Sequence, residues 1–123
     1  MSNSSILYVE DNDDLRDSIA MVLEAPEREI GLCVTAEEAL AAFEGREWDL
    51  LITDVGLPGI SGVELARRIT ATRPQQWVVL CSGYDMRDEL AALGPNVRAL
   101  TKPFDLDTFE NLIASILGPL KTG

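Results

Sequence analysis

The chain has 123 residues, 46% hydrophobic and 25% charged, with 21 acidic against 10 basic side chains and a formal net charge of −11. That mix suits one globule with its own core rather than a disordered chain, and no apolar run approaches the roughly 18 residues that a membrane span requires. The negative field repels nucleic acid and anionic membrane, so neither is expected as a direct partner. Two cysteines, Cys33 and Cys81, are too few for a disulfide framework, and with no histidine the chain has no histidine triad, no histidine metal site and no phosphohistidine of its own.

Residues 1–5 lack the basic and apolar regions of a signal peptide, which predicts a cytoplasmic location. From there strand and helix patterns alternate five times without repeat or linker, predicting a single domain over 1–123 with its core at about 6–117. Residues 6–9 form an apolar run ending at Glu10 and Asp11. A helix follows over 13–24, with Leu15, Ile19, Val22 and Leu23 at helical spacing, Asn12 as its cap and Pro26 beyond its end. Ile30, Leu32 and Val34 alternate as in a strand with one side less buried. Thr35-Ala36-Glu37-Glu38 reads as a capping box opening a helix to about Glu44.

Residues 50–53 are the third strand, ending at Asp54. A loop rich in glycine and proline leads to a second capping box, Ser61-Gly62-Val63-Glu64, whose helix runs to about Arg73 before Pro74. Residues 78–81 are the fourth strand, followed by a short helix over about 85–93 that ends at Gly94-Pro95. Residues 97–101 are the fifth strand, and a last helix runs over 104–117 with Asp105 as its cap. Trp48 and Trp77 precede strands three and four, and are read as packing residues at the rim opposite the strand ends.

Strands alternating with helices imply a parallel sheet covered on both faces. The first, third and fourth strands are the most continuously apolar, so they are central. The second and fifth carry more small or polar residues, as edges do. The expected fold is therefore α/β, a flavodoxin-like doubly wound five-stranded parallel sheet of order 2-1-3-4-5 with five helices.

In such a sheet ligands sit beyond the carboxyl ends of the strands, at the switch point between strands one and three. The residues expected there are Glu10 and Asp11, then Asp54, then Ser82, then Lys102. Two like charges about 4 Å apart repel by roughly 4 kcal/mol at an effective dielectric near 20, so the three acids favour a cation or the lysine ammonium. All-oxygen ligation with water completing the shell suits Mg2+. A carboxylate beside such a cation can act as nucleophile on a phosphoryl group, and Asp54, ending a central strand between the other groups, is the natural choice. Lys102 and the Ser82 hydroxyl would hold phosphoryl oxygens, and Gly56 can offer its backbone carbonyl to the metal. An EF-hand beginning at Asp11 fails, because Arg16 stands where glycine is needed and Val22 where the bidentate acid belongs.

Four segments, Tyr8-Val9-Glu10-Asp11, the run from Thr53 to Gly62, Cys81-Ser82-Gly83 and Thr101-Lys102-Pro103-Phe104, resemble the receiver domains of bacterial response regulators in order and spacing. The resemblance implies a phosphoacceptor, rather than an enzyme beyond its own phosphorylation and dephosphorylation, with Asp54 as the phosphorylation site. It also implies Mg2+ held by Glu10, Asp11, Asp54 and the Gly56 carbonyl, phosphoryl oxygens held by Ser82 and Lys102, and a cis Lys102–Pro103 bond. The donor it implies is a histidine kinase or histidine phosphotransfer domain. The chain departs from the family at Ala99, where an aromatic ring is usual, and in the 20-position interval from Ser82 to Lys102, which is short. Both features are more like receivers attached to hybrid sensor kinases. Tyr84 is the candidate to substitute for the missing ring or to shield the site. A phosphatase using Asp54 would want a second acid just after it, and Val55, Gly56 and Leu57 offer none. A flavodoxin-like binding module would need a hydroxyl- and glycine-rich loop where Glu10 and Asp11 stand.

Overall fold

The computed structural model describes residues 4–121. The first three residues of the 1–5 start, read above as no signal peptide, lie outside the described residues. The elements in chain order are β1 (Ser4–Val9), α1 (Asp13–Leu23), β2 (Arg28–Cys33), α2 (Ala36–Gly45), β3 (Leu50–Asp54), α3 (Gly62–Thr72), β4 (Trp77–Ser82), α4 (Arg87–Ala91), β5 (Val97–Thr101) and α5 (Leu106–Lys121). All strands pair in parallel in the order β2-β1-β3-β4-β5, as expected from the edge character of the second and fifth.

Alternation along the strands divides the core in two. Leu7 and Val9 of β1 join Phe43, Leu51, Leu65, Ile69 and Leu80 under α2, α3 and α4. Ile6 and Tyr8 join Ile19, Leu23, Ile52, Phe109 and Ile113 under α1 and α5. With both faces covered, β1 and β3 are buried along their whole length, which explains their unbroken apolar runs.

The predicted caps start the helices that lead away from the site. Asn12 Oδ1 accepts from the Leu15 amide at 3.0 Å, Thr35 Oγ1 from the Glu38 amide at 3.1 Å, and Ser61 Oγ from the Glu64 amide at 3.1 Å. Neither capping box closes in the usual reciprocal way. Glu38 reaches back to the Val34 amide at 2.7 Å, and Glu64 instead pairs with Arg67 and Arg68.

Two elements differ from expectation. On β2 the alternating set Ile30, Leu32 and Val34 is not the better-buried one: Leu32 and Val34 are exposed, while Cys33 is buried. The cause is Trp48, whose ring occupies the space beside Gly31, where an added Cβ would lie 2.7 Å from it. A tryptophan from the next crossover thus supplies the apolar bulk that β2 lacks. The fourth helix is five residues long instead of about nine. Asp85 Oδ1 accepts from the Arg87 amide at 2.9 Å and delays its start, and i→i−3 bonds at Ala92 and Leu93 tighten its end.

Trp48 and Trp77 lie at the amino ends of β3 and β4 as expected, stacked beneath Arg46 and Arg98 at 4.0 and 5.0 Å. Among the described residues no helix is long and apolar enough to cross a membrane.

Candidate functional site

Chain direction delivers the predicted residues to one rim. The parallel ladder carries Glu10 just past β1, where its amide donates to the Cys33 carbonyl at 3.0 Å, and leaves Asp54 as the last residue of β3. Ser82 ends β4, and the Lys102 amide donates to its carbonyl at 2.6 Å, which fixes where the lysine leaves the sheet. The Lys102–Pro103 bond is cis, as expected.

The loop after Asp54 is pinned beneath it. The amides of Leu57 and Gly62 both donate to the Val55 carbonyl, at 3.1 and 3.0 Å. Gly62 has no room for a side chain, because a Cβ there would collide with the Asp54 carbonyl and sit 2.9 Å from Val55 Cα. Gly59, at φ 74°, takes the left-handed turn that returns the loop to α3. These are the reasons for two of the loop's glycines. Gly56 differs, since a Cβ there would stand an ordinary 3.6 Å from Asp54 Oδ2.

Glu10, Asp11 and Asp54 each bring a carboxylate oxygen within 4.8 Å of the others. Glu10 is 3% and Asp54 8% exposed, while Asp11 faces solvent. Lys102 Nζ is ion-paired with Asp54 Oδ1, and the Gly56 amide donates to Oδ2 at 3.1 Å. Burial lifts the Glu10 carboxyl above the ordinary range; the Asn12 amide pulls it down, the Asp54 charge pushes it up again, and Lys102 offsets part of that. Burial opposes the Lys102 charge, but the hydrogen bond and charge of Asp54, with Glu10, outweigh it and raise the ammonium's pKa.

Ser82 reaches the rim but not the acids. Its hydroxyl donates to the Tyr84 carbonyl and accepts from the Tyr84 amide, both at 3.0 Å, so it is folded into its own loop. Tyr84 itself is half exposed, and Ala99 is partly buried on β5. Gly83 leaves open space, with nothing within 4 Å of an added Cβ.

Three residues around the site make contacts there that the sequence pattern does not announce. Arg16 Nη1 donates to the Glu10 carbonyl at 3.0 Å, anchoring the backbone of the acid pair. Cys81 lies in register with Asp54 on the adjacent strand; burial first, then Asp54 and Glu10 against an opposing Lys102, push its thiol up to about 12. Tyr8 is 3% exposed beneath Glu10, its hydroxyl driven above the usual tyrosine range by burial and then by Glu10, Cys81 and Asp54. Strand parity pointed to Tyr8 and Cys81, because both share a face with the acids above them.

The donor set fits magnesium. It consists of hard carboxylate oxygens at the exposed mouth of a strongly acidic chain, and Mg2+ takes one or two carboxylates and keeps water in its remaining positions. The arrangement combines a carboxylate that can act as a nucleophile, a neighbouring ammonium and an acid cluster able to hold a cation, the components that phosphoryl transfer needs.

Residues 6–114 match the family described as response regulator receiver domain. The response regulator receiver protein CpdR of Brucella abortus (strain 2308) is 29% identical over 118 residues, covering 91% of this chain and 95% of that one. The uncharacterized transcriptional regulatory protein YkoG of Bacillus subtilis (strain 168) is 31% identical over 123 residues, covering 98% of this chain but 53% of that one, so the chain spans about half of that relative. Among solved structures, the response regulator protein TrrA of Thermotoga maritima, crystallised in complex with Mg2+-BeF, superposes with a TM-score of 0.80 at 28% identity, covering 92% of this chain and 98% of that one.

Proposed function

The chain belongs to the response regulator receiver domain family, and on that premise we propose that Asp54 is its phosphoacceptor, with Lys102 and Ser82 assisting and Glu10, Asp11, Asp54 and the Gly56 carbonyl holding magnesium. The observation that carries this reading is the meeting of three carboxylates with one ammonium at the strand ends. We take 1–123 as a single receiver domain with its core at about 6–117, acting in the cytoplasm.

An Asp54 carboxylate oxygen attacks phosphorus in line. The P–N bond of a partner phosphohistidine breaks as the new P–O bond forms, and the freed imidazole nitrogen keeps the electron pair. Bound magnesium supplies charge neutralisation for the transferred oxygens. Lys102 neutralises Asp54 at rest and can shift to a phosphoryl oxygen once Asp54 carries the acyl phosphate. Ser82 must give up its donor bond to the Tyr84 carbonyl to donate to a phosphoryl oxygen, so phosphorylation is expected to move the 82–86 loop. That motion couples to Met86, 2% exposed in the core beneath α4, and is a route for output that does not need an aromatic ring at Ala99.

The donor we propose is a histidine kinase or histidine phosphotransfer domain. Supporting this, an apolar cavity of about 300 Å³ lined by Leu15, Ile19, Pro103, Phe104 and Leu106 adjoins Lys102, and it suits a partner helix that presents its histidine to Asp54. The net charge of −11 argues against direct nucleic-acid binding by this chain. Chemistry beyond its own phosphorylation and dephosphorylation is not proposed.

The test is incubation with magnesium and a small acyl phosphate, read by intact mass. Wild type is expected to gain one phosphoryl group and Asp54→Asn none. An adduct of equal yield on Asp54→Asn would overturn the assignment.

A further inference from the structure

Helix formation does not explain an arginine at position 16. Arg16 closes the first turn of α1 beside Asp13 and Asp14, and the amino end of a helix carries partial positive charge that favours acids over bases. Its ion pair with Asp13, at 2.7 Å, explains little more, because the Asp13 side chain is 81% exposed and surface pairs of this kind contribute weakly. The Arg16 side chain is itself only 15% exposed, and its other terminal nitrogen, Nη1, donates to the Glu10 carbonyl at 3.0 Å.

That carbonyl belongs to the peptide joining Glu10 to Asp11. Glu10 is fixed without help from Arg16: its amide donates to the Cys33 carbonyl at 3.0 Å, and its carboxylate accepts from the Asn12 amide at 3.1 Å. Asp11 is the exposed member of the acid cluster. A peptide is planar, so the Glu10 carbonyl and the Asp11 amide turn together, and the rotation of this one unit sets where the Asp11 side chain starts. The guanidinium is a rigid planar fork, with one nitrogen on this peptide and the other on Asp13 in the first turn of α1. A charged donor makes the bond to the carbonyl of the stronger kind.

We propose that Arg16 is a positioning residue that locks the peptide between Glu10 and Asp11 and so aims the Asp11 carboxylate at magnesium, without touching the ion. The inference rests on the metal-site reading given above. Two effects of the arginine oppose one another. Its positive charge disfavours a dication nearby, whereas its hydrogen bond favours one by holding a ligand in place. Partners that orient metal ligands commonly contribute about 10-fold or more to affinity. Deleting the side chain therefore separates charge from position by the sign of the change.

The experiment is titration of magnesium into the isotope-labelled full chain, followed by amide NMR shifts, for wild type, Arg16→Met and Asp13→Ala. Each is titrated at low salt and again in about 1 M potassium chloride, where the screening length is about 3 Å and exposed charges count for little. Both variants lose the Arg16–Asp13 ion pair, but only Arg16→Met loses the bond to the Glu10 carbonyl. Spectra in EDTA check the fold, and Arg16→Leu gives a second reading of the same loss should Arg16→Met unfold. Arg16→Met is expected to bind magnesium about 10-fold more weakly than wild type in high salt, and Asp13→Ala within about 2-fold of it. In EDTA the shifts caused by Arg16→Met should reach the Asp11 amide, and those caused by Asp13→Ala should not. Equal or tighter binding by Arg16→Met would overturn the inference and leave the proposed function standing. So would an equal loss in Asp13→Ala, which would trace the effect to loosening of the first turn of α1. A wild type that takes up no magnesium would overturn the metal site itself, and the role of Arg16 with it.

Discussion

Removing a charge from the acid cluster should stabilise the metal-free protein. Glu10 and Asp54 are both buried, and their carboxylate oxygens lie within 4.8 Å, where two unit charges repel by about 3.5 kcal/mol at an effective dielectric of 20. Lys102 returns part of this, but Glu10 feels Asp54 more strongly than it feels the lysine. Glu10→Gln keeps a carbonyl for the Asn12 amide and the shape of the side chain while deleting the charge. The expected gain without metal is about 1–2 kcal/mol once Lys102 is counted, which at a urea slope of roughly 1–3 kcal/mol per molar moves the midpoint up by about 0.3–2 M. Magnesium at 100 times its dissociation constant should add about 2.7 kcal/mol to wild type and much less to the variant, which lacks a ligand. The order of stability should therefore reverse between EDTA and saturating magnesium, as read by urea unfolding in each. A variant less stable than wild type in EDTA, or one that gains as much from magnesium, would refute the argument that these acids are held together for a cation.

Gly62→Ala forces a Cβ into the Asp54 carbonyl, where backbone cannot yield as a flexible side chain would; a loss of about 1–3 kcal/mol in urea unfolding is expected, with slower uptake of phosphoryl groups, whereas Gly56→Ala should cost far less. Burial holds the Cys33 thiol up to about 11 and the Cys81 thiol up to about 12, against the ordinary value of 9.0. Between pH 9 and 11 the unfolded chain loses thiol protons that the native state keeps, so the contribution of these thiols to stability falls as pH rises through that window, and thiol reagents should label both cysteines only after unfolding. Leu106 is 52% exposed beside the apolar cavity, so Leu106→Asp should leave the fold and acyl-phosphate labelling of Asp54 intact while slowing transfer from a phosphohistidine partner about 10-fold or more, read by loss of label from the donor.

What the sequence carried clearly is what the backbone alone determines. Unbroken apolar runs mark strands buried on both faces, and parallel connectivity places every strand's carboxyl end on one rim, so Glu10, Asp11, Asp54, Ser82 and Lys102 had to meet there once the order was right. The same logic gave the caps at Asn12, Thr35, Ser61 and Asp105, each of which satisfies an amide three residues on. Packing between distant segments was not legible. The inward face of β2 depends on Trp48 filling the volume beside Gly31, and nothing local in Ile30, Leu32 and Val34 signals that. The short α4 likewise reflects an Asp85 side chain choosing its own neighbour's amide.

Ser82 shows how placing a residue differs from orienting it. Its strand position was readable, yet its hydroxyl is engaged twice by Tyr84 rather than directed at the acids. A hydroxyl has three staggered options, and the two nearby backbone groups win over an Asp54 carboxylate already engaged by Lys102 and the Gly56 amide. Lys102 settles on Asp54 for the converse reason: a buried carboxylate is the strongest acceptor within its reach. The site thus holds both groups proposed to bind phosphate on other partners, one on its own loop and one on the proposed nucleophile. On the proposed function, a phosphoryl group arriving at Asp54 would supply oxygens for both at once, so the chemistry at the acid cluster and the expected rearrangement of the 82–86 loop would be a single competition for the same donors.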